Sequence, residues 1–203
     1  MGITPQQFKR LQERLETPRR QASPVLGGAA PKPQARSHQV ILGLDPSLRG
    51  TGYGIIRAGR PQAASVEQGT IHCPASWERS QCLVRIVQTL RQVIQRTRPT
   101  VCVVEGLFYA QNLQTTLIMG EARGAALATV AEAGLDIYEL APRRVKQAIV
   151  GYGAAQKLAV ARMVQRMLQL AEVPEPDAAD ALALALTFAQ EQARYSLQAP
   201  KKI

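Results

Sequence analysis

From Gln39 onward the apolar positions switch between two periods, one suited to strands and one to helices. Residues 40–44 form an unbroken apolar run closed by Asp45, the pattern of a central strand buried on both faces. Gly50, Gly52 and Gly54 punctuate a turn into a second strand, GYGIIRA, and residues 64–72 make a third. The short connections predict an antiparallel meander. Leu83, Ile86, Val87, Leu90, Val93 and Ile94 then recur at helical spacing, and the pattern stops before Pro99. A strand over residues 101–105, an Ala- and Gly-rich helix over 113–133 and a short strand over 136–140 follow. Helices beginning near Arg143, Ala155 and Asp177 complete the order. The expectation is an α/β domain: a mixed five-stranded sheet flanked by helices.

Residues 1–38 stand apart. Thr4 and Pro5 can open a short helix over residues 4–16, but Pro18, Pro24, Pro31 and Pro33, with Gly27 and Gly28, read as flexible linker. The sequence therefore divides into a basic, largely disordered extension over 1–38 and a globular domain over 39–203 with a short C-terminal tail. Composition narrows the class further. With 46% hydrophobic residues the chain is neither disordered throughout nor fibrous. No apolar run approaches the roughly 20 residues a membrane span needs, and the first residues lack the apolar core of a secretory signal. Cys73, Cys82 and Cys102 are odd in number and lack CxxC spacing, the usage of reduced thiols in a cytoplasmic protein.

Charge changes the picture more. The net charge is +10, split as +5 over residues 1–38 (seven Lys/Arg against two Glu) and +5 over the remainder (eighteen against thirteen). Such a surface attracts a polyanion, and nucleic acid is the usual one. Against that background four acids are notable. Asp45 and Glu105 each close an apolar strand run, and Asp177 and Asp180 sit at i,i+3 spacing in PDAADALALAL. Singly each has an ordinary reading: a turn before Pro46, a solvated strand end before Gly106, a charge suited to a helix N-terminus. Together they fit a converging set, because ligands gather outside the carboxyl ends of strands in open α/β sheets. Asp180 lies in an Ala/Leu run where an unpaired carboxylate is costly. All-oxygen donors favour Mg²⁺, with Mn²⁺ able to substitute.

The segments ILGLDPSLRGTGYGIIR, VVEGLFYAQN, GEARGAAL, APRRVKQAIVG and PDAADALALAL, in this order and spacing, resemble the RuvC-type Holliday-junction resolvases over about residues 39–190. The resemblance implies a ribonuclease-H-like fold, a homodimer, and paired, symmetric, metal-dependent nicks in four-way DNA junctions that leave 5′-phosphate and 3′-hydroxyl ends. It also implies a branch-migration motor of the RuvA–RuvB type as partner, in recombination and repair. Asp45, Glu105, Asp177 and Asp180 fall on the family's catalytic, metal-holding acids. Two Mg²⁺ ions roughly 3.5–4 Å apart suit such chemistry.

For DNA, Arg143, Arg144, Lys146 and Lys157 form a basic cluster, with Lys146 and Lys157 on family lysines at the DNA backbone. A solvated basic face is the plain reading of the same residues. Phe108 and Tyr109 follow Glu105 in a loop, where an aromatic can stack on an unpaired base or pack beneath the loop; Phe108 matches the family's stacking position. Ser47-Leu48 departs from the glycine common after the first Asp-Pro, so the turn can differ. Gly120 and Gly124 suit close helix packing, in the core or at an interface. Two other functions remain open from the residues: a branched-DNA-binding module that does not cut, and an actin-like nucleotide-binding protein suggested by DPSLRGTGYG.

Overall fold

The computed structural model describes residues 39–106, 112–193 and 200–203. The expected extension over 1–38, with its short helix, and Phe108 and Tyr109 lie outside the described residues. Residues 37–203 form one compact unit. The chain order is β1 (Val40–Asp45), β2 (Gly50–Arg57), β3 (Ala64–His72), α1 (Arg79–Thr97), β4 (Val101–Glu105), α2 (Leu113–Glu132), β5 (Asp136–Leu140), α3 (Pro142–Val150), α4 (Lys157–Leu168), α5 (Pro176–Ala193) and β6 (Lys201–Lys202). The sheet runs β3-β2-β1-β4-β5-β6. β1, β2 and β3 pair antiparallel as the expected meander, β1, β4 and β5 are parallel, and β6 returns antiparallel on β5.

The sheet has six strands where five were expected. The sixth is two lysines, which carry no hydrophobic period. It exists through backbone pairing of Tyr138 with Lys202 and Glu139 with Lys201, helped by an ion pair of Lys202 with Asp136 at 2.8 Å. Long-range pairing of so short a segment leaves no local signal.

Strand parity sorts the core into two layers. Leu42, Leu44, Cys102, Val104 and Ile137 face α1 and α2, with Ile86, Leu90, Val93, Ala122, Ala126 and Val130. Ile41, Val101, Val103 and Leu140 face α3, α4 and α5, with Val145, Val160, Val164, Leu182 and Leu186. Asp45 and Glu105 share parity with Ile41 and Val103, so both acids project toward α5.

Helix α5 lies unusually close to the sheet. A Cβ built on Gly43 would stand 1.9 Å from the carbonyl oxygen of Ala181, and one on Gly52 would stand 2.0 Å from that of Asp177. Gly43 pairs across the sheet with Gly54, and Gly52 pairs with Asp45. The glycines that punctuate the sequence therefore floor a groove in the sheet, and Gly52 and Gly54 serve close approach rather than the turn. The turn itself belongs to Ser47. Its hydroxyl accepts from Gly50 N at 3.1 Å, and its carbonyl accepts from the Thr51 hydroxyl at 2.6 Å. Leu48 packs on the α1/α2 layer. The Ser47-Leu48 departure is thus accommodated by side-chain hydrogen bonds typical of a Ser turn.

Gly120 and Gly124 have no atom within 4 Å of a built Cβ, so they are outside the core. A paired stability measurement separates these glycine classes. By denaturant unfolding, Gly52→Ala is expected to destabilise by about 2–4 kcal/mol, because backbone must move to admit the methyl. Gly120→Ala, at an open helical site, is expected to stabilise the folded chain by up to about 1 kcal/mol.

Candidate metal centre and nucleic-acid interface

Three chain segments meet at the carboxyl ends of β1 and β4. The β1–β4 register ends at Leu44 opposite Val104, so Asp45 and Glu105 leave the sheet side by side. Pro176 opens α5 and places Asp177 in its first turn; the Asp177 carboxylate reaches over Gly50, where a Cβ would stand 2.6 Å from Oδ2. Asp180 is one turn further along the same helix, and Lys157 at the start of α4 donates to its Oδ2 at 3.0 Å.

Electrostatics shows how tightly the four acids are gathered. Burial, followed by the charges of Glu105 and Asp180, pushes the Asp45 carboxyl up to about 7; Asp177 adds to the rise and Lys157 opposes it. Glu105 is also raised, first by burial and then by Asp180, with Lys157, Lys146 and Arg123 opposing. Asp180 holds the Lys157 ammonium above its ordinary value, chiefly through their hydrogen bond. Like charges this close disfavour their own ionised forms, and a cation reverses that cost. Among the described residues no three acidic, His or Cys side chains close around one point as a finished ligand set. The fit to a hard divalent ion thus rests on donor chemistry: four carboxylates, two with raised proton affinity, and no soft ligand.

The basic residues divide. Lys146 and Lys157 both act electrostatically on Glu105, and Lys157 on Asp45 as well. Arg143 is exposed, and its aliphatic chain covers Gly153, where a Cβ would stand 2.5 Å from Cγ. Arg144 is half-buried, and its Nε donates to Glu191 of α5, tying α3 to that helix. One charged group at the site went unassigned in the sequence: Arg123 of α2, 7% exposed, reaches the end of β4. A lone arginine inside GEARGAAL, a run otherwise fit for close packing, is the signal it carried. Among the described residues no helix is long and apolar enough to cross a membrane. Cys73, Cys82 and Cys102 are free and buried.

Comparison with known proteins decides the family. A sequence profile described as "Crossover junction endodeoxyribonuclease RuvC" matches residues 41–188. The chain belongs to the RuvC family. A RuvC of Akkermansia muciniphila is 45% identical over 147 residues, 72% of this chain and 88% of that one. A RuvC of Bordetella parapertussis is 44% identical over 149 residues, 73% of this chain and 82% of that one. Among solved structures, T. thermophilus RuvC in complex with a Holliday junction substrate superposes with a TM-score of 0.73 at 32% identity, covering 82% of this chain and all (100%) of that one. The yeast mitochondrial Holliday junction resolvase Ydc2, at 13% identity and TM-score 0.54, shares the fold. The protein is accordingly a crossover junction endodeoxyribonuclease that resolves Holliday junctions. A non-cutting binding module and an actin-like nucleotide-binding protein are set aside by that membership.

The raised Asp45 carboxyl makes a stability prediction with a definite sign. The folded chain keeps this proton up to about pH 7, whereas an unfolded Asp releases it near pH 4, so stability falls as pH rises between those values. With a chelator present, Asp45→Asn is expected to melt about 3–6 °C above the parent protein at pH 8. Near pH 4 the two should converge. Thermal unfolding at both pH values is the check, and an Asn variant less stable at pH 8 contradicts the crowding.

Proposed function

We propose that Asp45, Glu105, Asp177 and Asp180 are the catalytic acids of this resolvase and together hold two Mg²⁺ ions, with Mn²⁺ able to substitute. The observation that carries this reading is geometric: β1 and β4 end side by side at Asp45 and Glu105, and α5 lies against β1 and β2 with Asp177 over Gly50 and Asp180 one turn on. Bound metal supplies activation of water and stabilisation of the departing 3′ oxygen. The chain supplies the rest. Burial fixes the carboxylates, and Lys157 and Lys146 add positive charge where a scissile phosphate must sit. Lys157 donates to Asp180 Oδ2 at 3.0 Å and would leave Oδ1 for a metal ion.

Arg143, Lys146 and Lys157 are proposed as backbone contacts to four-way junction DNA. Arg144 is proposed there as well, acting from its anchor on Glu191. Phe108 is proposed to stack on an unpaired base and Tyr109 to contact the DNA beside it, both in the segment between Gly106 and Asn112. The basic extension over 1–38 is proposed to add a weak electrostatic attraction to DNA. A cytoplasmic setting and a branch-migration motor of the RuvA–RuvB type complete the reading.

Paired incision needs two centres, so a two-fold homodimer is proposed. The surface that favours it is the outer face of α2. Leu113 and Leu117 are 74% and 59% exposed there, beside open Gly120 and Gly124. A helix with apolar residues on both its faces expects a partner on each.

Three measurements test these assignments. With a mobile four-way junction, wild-type protein is expected to nick two opposed strands only when Mg²⁺ or Mn²⁺ is added. Asp180→Asn should bind the junction and lose at least about 100-fold in cleavage rate; an active variant removes Asp180 from the metal site. Lys146→Ala should lower the magnitude of the log-affinity against log-salt slope by about 1. In sedimentation, wild-type protein should run at twice the 22.1 kDa chain mass, and Leu117→Glu at the single mass.

A further inference from the structure

We propose that Arg123 is a positioning residue for the cleavage reaction: it fixes the end of β4 that carries Glu105, and so sets where that carboxylate meets metal, while touching neither metal nor DNA itself. The inference rests on the assignment of Glu105 as a catalytic acid.

The geometry is specific. The Arg123 side chain is 9% exposed, and among the described residues it has hydrogen-bond partners on β4 and β5. One guanidinium nitrogen, Nη1, donates to the backbone carbonyl of Glu105, and the other, Nη2, donates to Glu139 Oε2 at 2.7 Å. A charged side chain is almost never fully buried without such partners. Its neighbours on the buried stripe of α2 are Ala122, Ala126 and Val130, so packing alone called for a small apolar residue at this position.

The end of β4 needs a brace of this kind. Pairing with β1 stops at Val104, one residue before Glu105. Beyond it, Gly106 N donates to the Leu140 carbonyl at 2.8 Å, the last backbone bond between this strand end and β5. Arg123 therefore fastens the Glu105 peptide from the helix side while β5 holds it from the sheet. Glu139 serves both: it accepts from Arg123 and approaches Gly106, where a built Cβ would stand 3.3 Å from Oε1. The guanidinium takes the peptide oxygen and leaves both carboxylate oxygens of Glu105 unclaimed by it. An arginine acting as counter-ion would grip the carboxylate itself.

The planar two-point fork also separates positioning from simple charge. Lysine keeps the charge but cannot hold a carbonyl and a carboxylate in one rigid plane. In full-length protein, Arg123→Lys is expected to slow single-turnover junction cleavage about 10–100-fold at saturating protein, and to raise the Mg²⁺ concentration for half-maximal rate about tenfold. Mn²⁺ binding measured by calorimetry without DNA should weaken about tenfold as well, because the defect lies in ligand placement. Junction affinity in Ca²⁺ should stay within about twofold, since no phosphate contact is lost.

Arg123→Lys protein with wild-type cleavage rate and Mn²⁺ affinity overturns the proposal. So does a loss of cleavage that merely tracks the folded fraction with Mn²⁺ affinity intact, the outcome of a purely structural role. Should the lysine variant fail to fold, Glu139→Leu frees one arm of Arg123 by removing its acceptor at similar bulk, and the same readouts apply to it. Glu105→Gln runs alongside. If that variant still cleaves, the assignment of the metal centre is at fault rather than the role of Arg123.

Discussion

The architecture depends on the backbone of α5 lying directly on the backbone of β1 and β2. Ordinary helix-on-sheet packing keeps about 10 Å between layers because side chains fill the gap. Here Gly43, Gly52 and Gly54 remove those side chains, and Ala178, Ala181 and Ala185 keep the helix side thin. The helix sinks to the sheet, and its first two turns come level with the ends of β1 and β4. Short carboxylates on α5 can then share one site with a carboxylate on each strand. Larger residues in the groove would lift Asp177 and Asp180 away from Asp45.

That close approach has an electrostatic consequence. Four acids brought together by backbone packing are disfavoured as a fully ionised set, which is why burial and neighbouring charge push Asp45 up to about 7. Lys157 offsets part of this through Asp180, at 3.0 Å. A cation bound there would relieve repulsion the fold has built in, and would compete with protons for the same oxygens. A stable apolar framework carries the strain, with α3 and α4 locking α5 from outside through Val145, Val160 and Val164. Function here sits against local stability, as expected for a preorganised site.

Helix α2 joins two roles. Its inner face supplies Ala122, Ala126 and Val130 to the core and Arg123 to the end of β4, and its outer face keeps Leu113, Leu117 and two open glycines exposed. The Asn112 side chain caps it, accepting from Gln114 N at 2.9 Å, so the helix starts at a fixed point beyond the loop that follows Glu105. One rigid element thus connects the proposed dimer seam with the strand end at the metal centre.

The sequence by itself determined the elements and the acids. Apolar runs marked β1 and β4, the i,i+3,i+4 rhythm marked α1, and Asp177 with Asp180 declared a shared helix face, because these patterns are local and repeat at the period of the element. Five segments in register also made the family legible. Tertiary structure alone decided the rest, since it depends on which distant groups meet. Gly52 and Gly54 read as turn punctuation until the helix above them is seen, and a glycine pattern is the same for either use. Gly120 and Gly124 were undecided between core and interface, and the open space around them excludes the core. Arg144 read as one of a basic cluster and gave no sign of its pairing with Glu191, while β6 formed from two lysines with no pattern at all. The sequence marked Arg123 only as a lone charge and not its role, for the same reason: its partners are the Glu105 peptide and Glu139, 18 and 16 residues away along the chain, and only folding brings them within reach of one guanidinium.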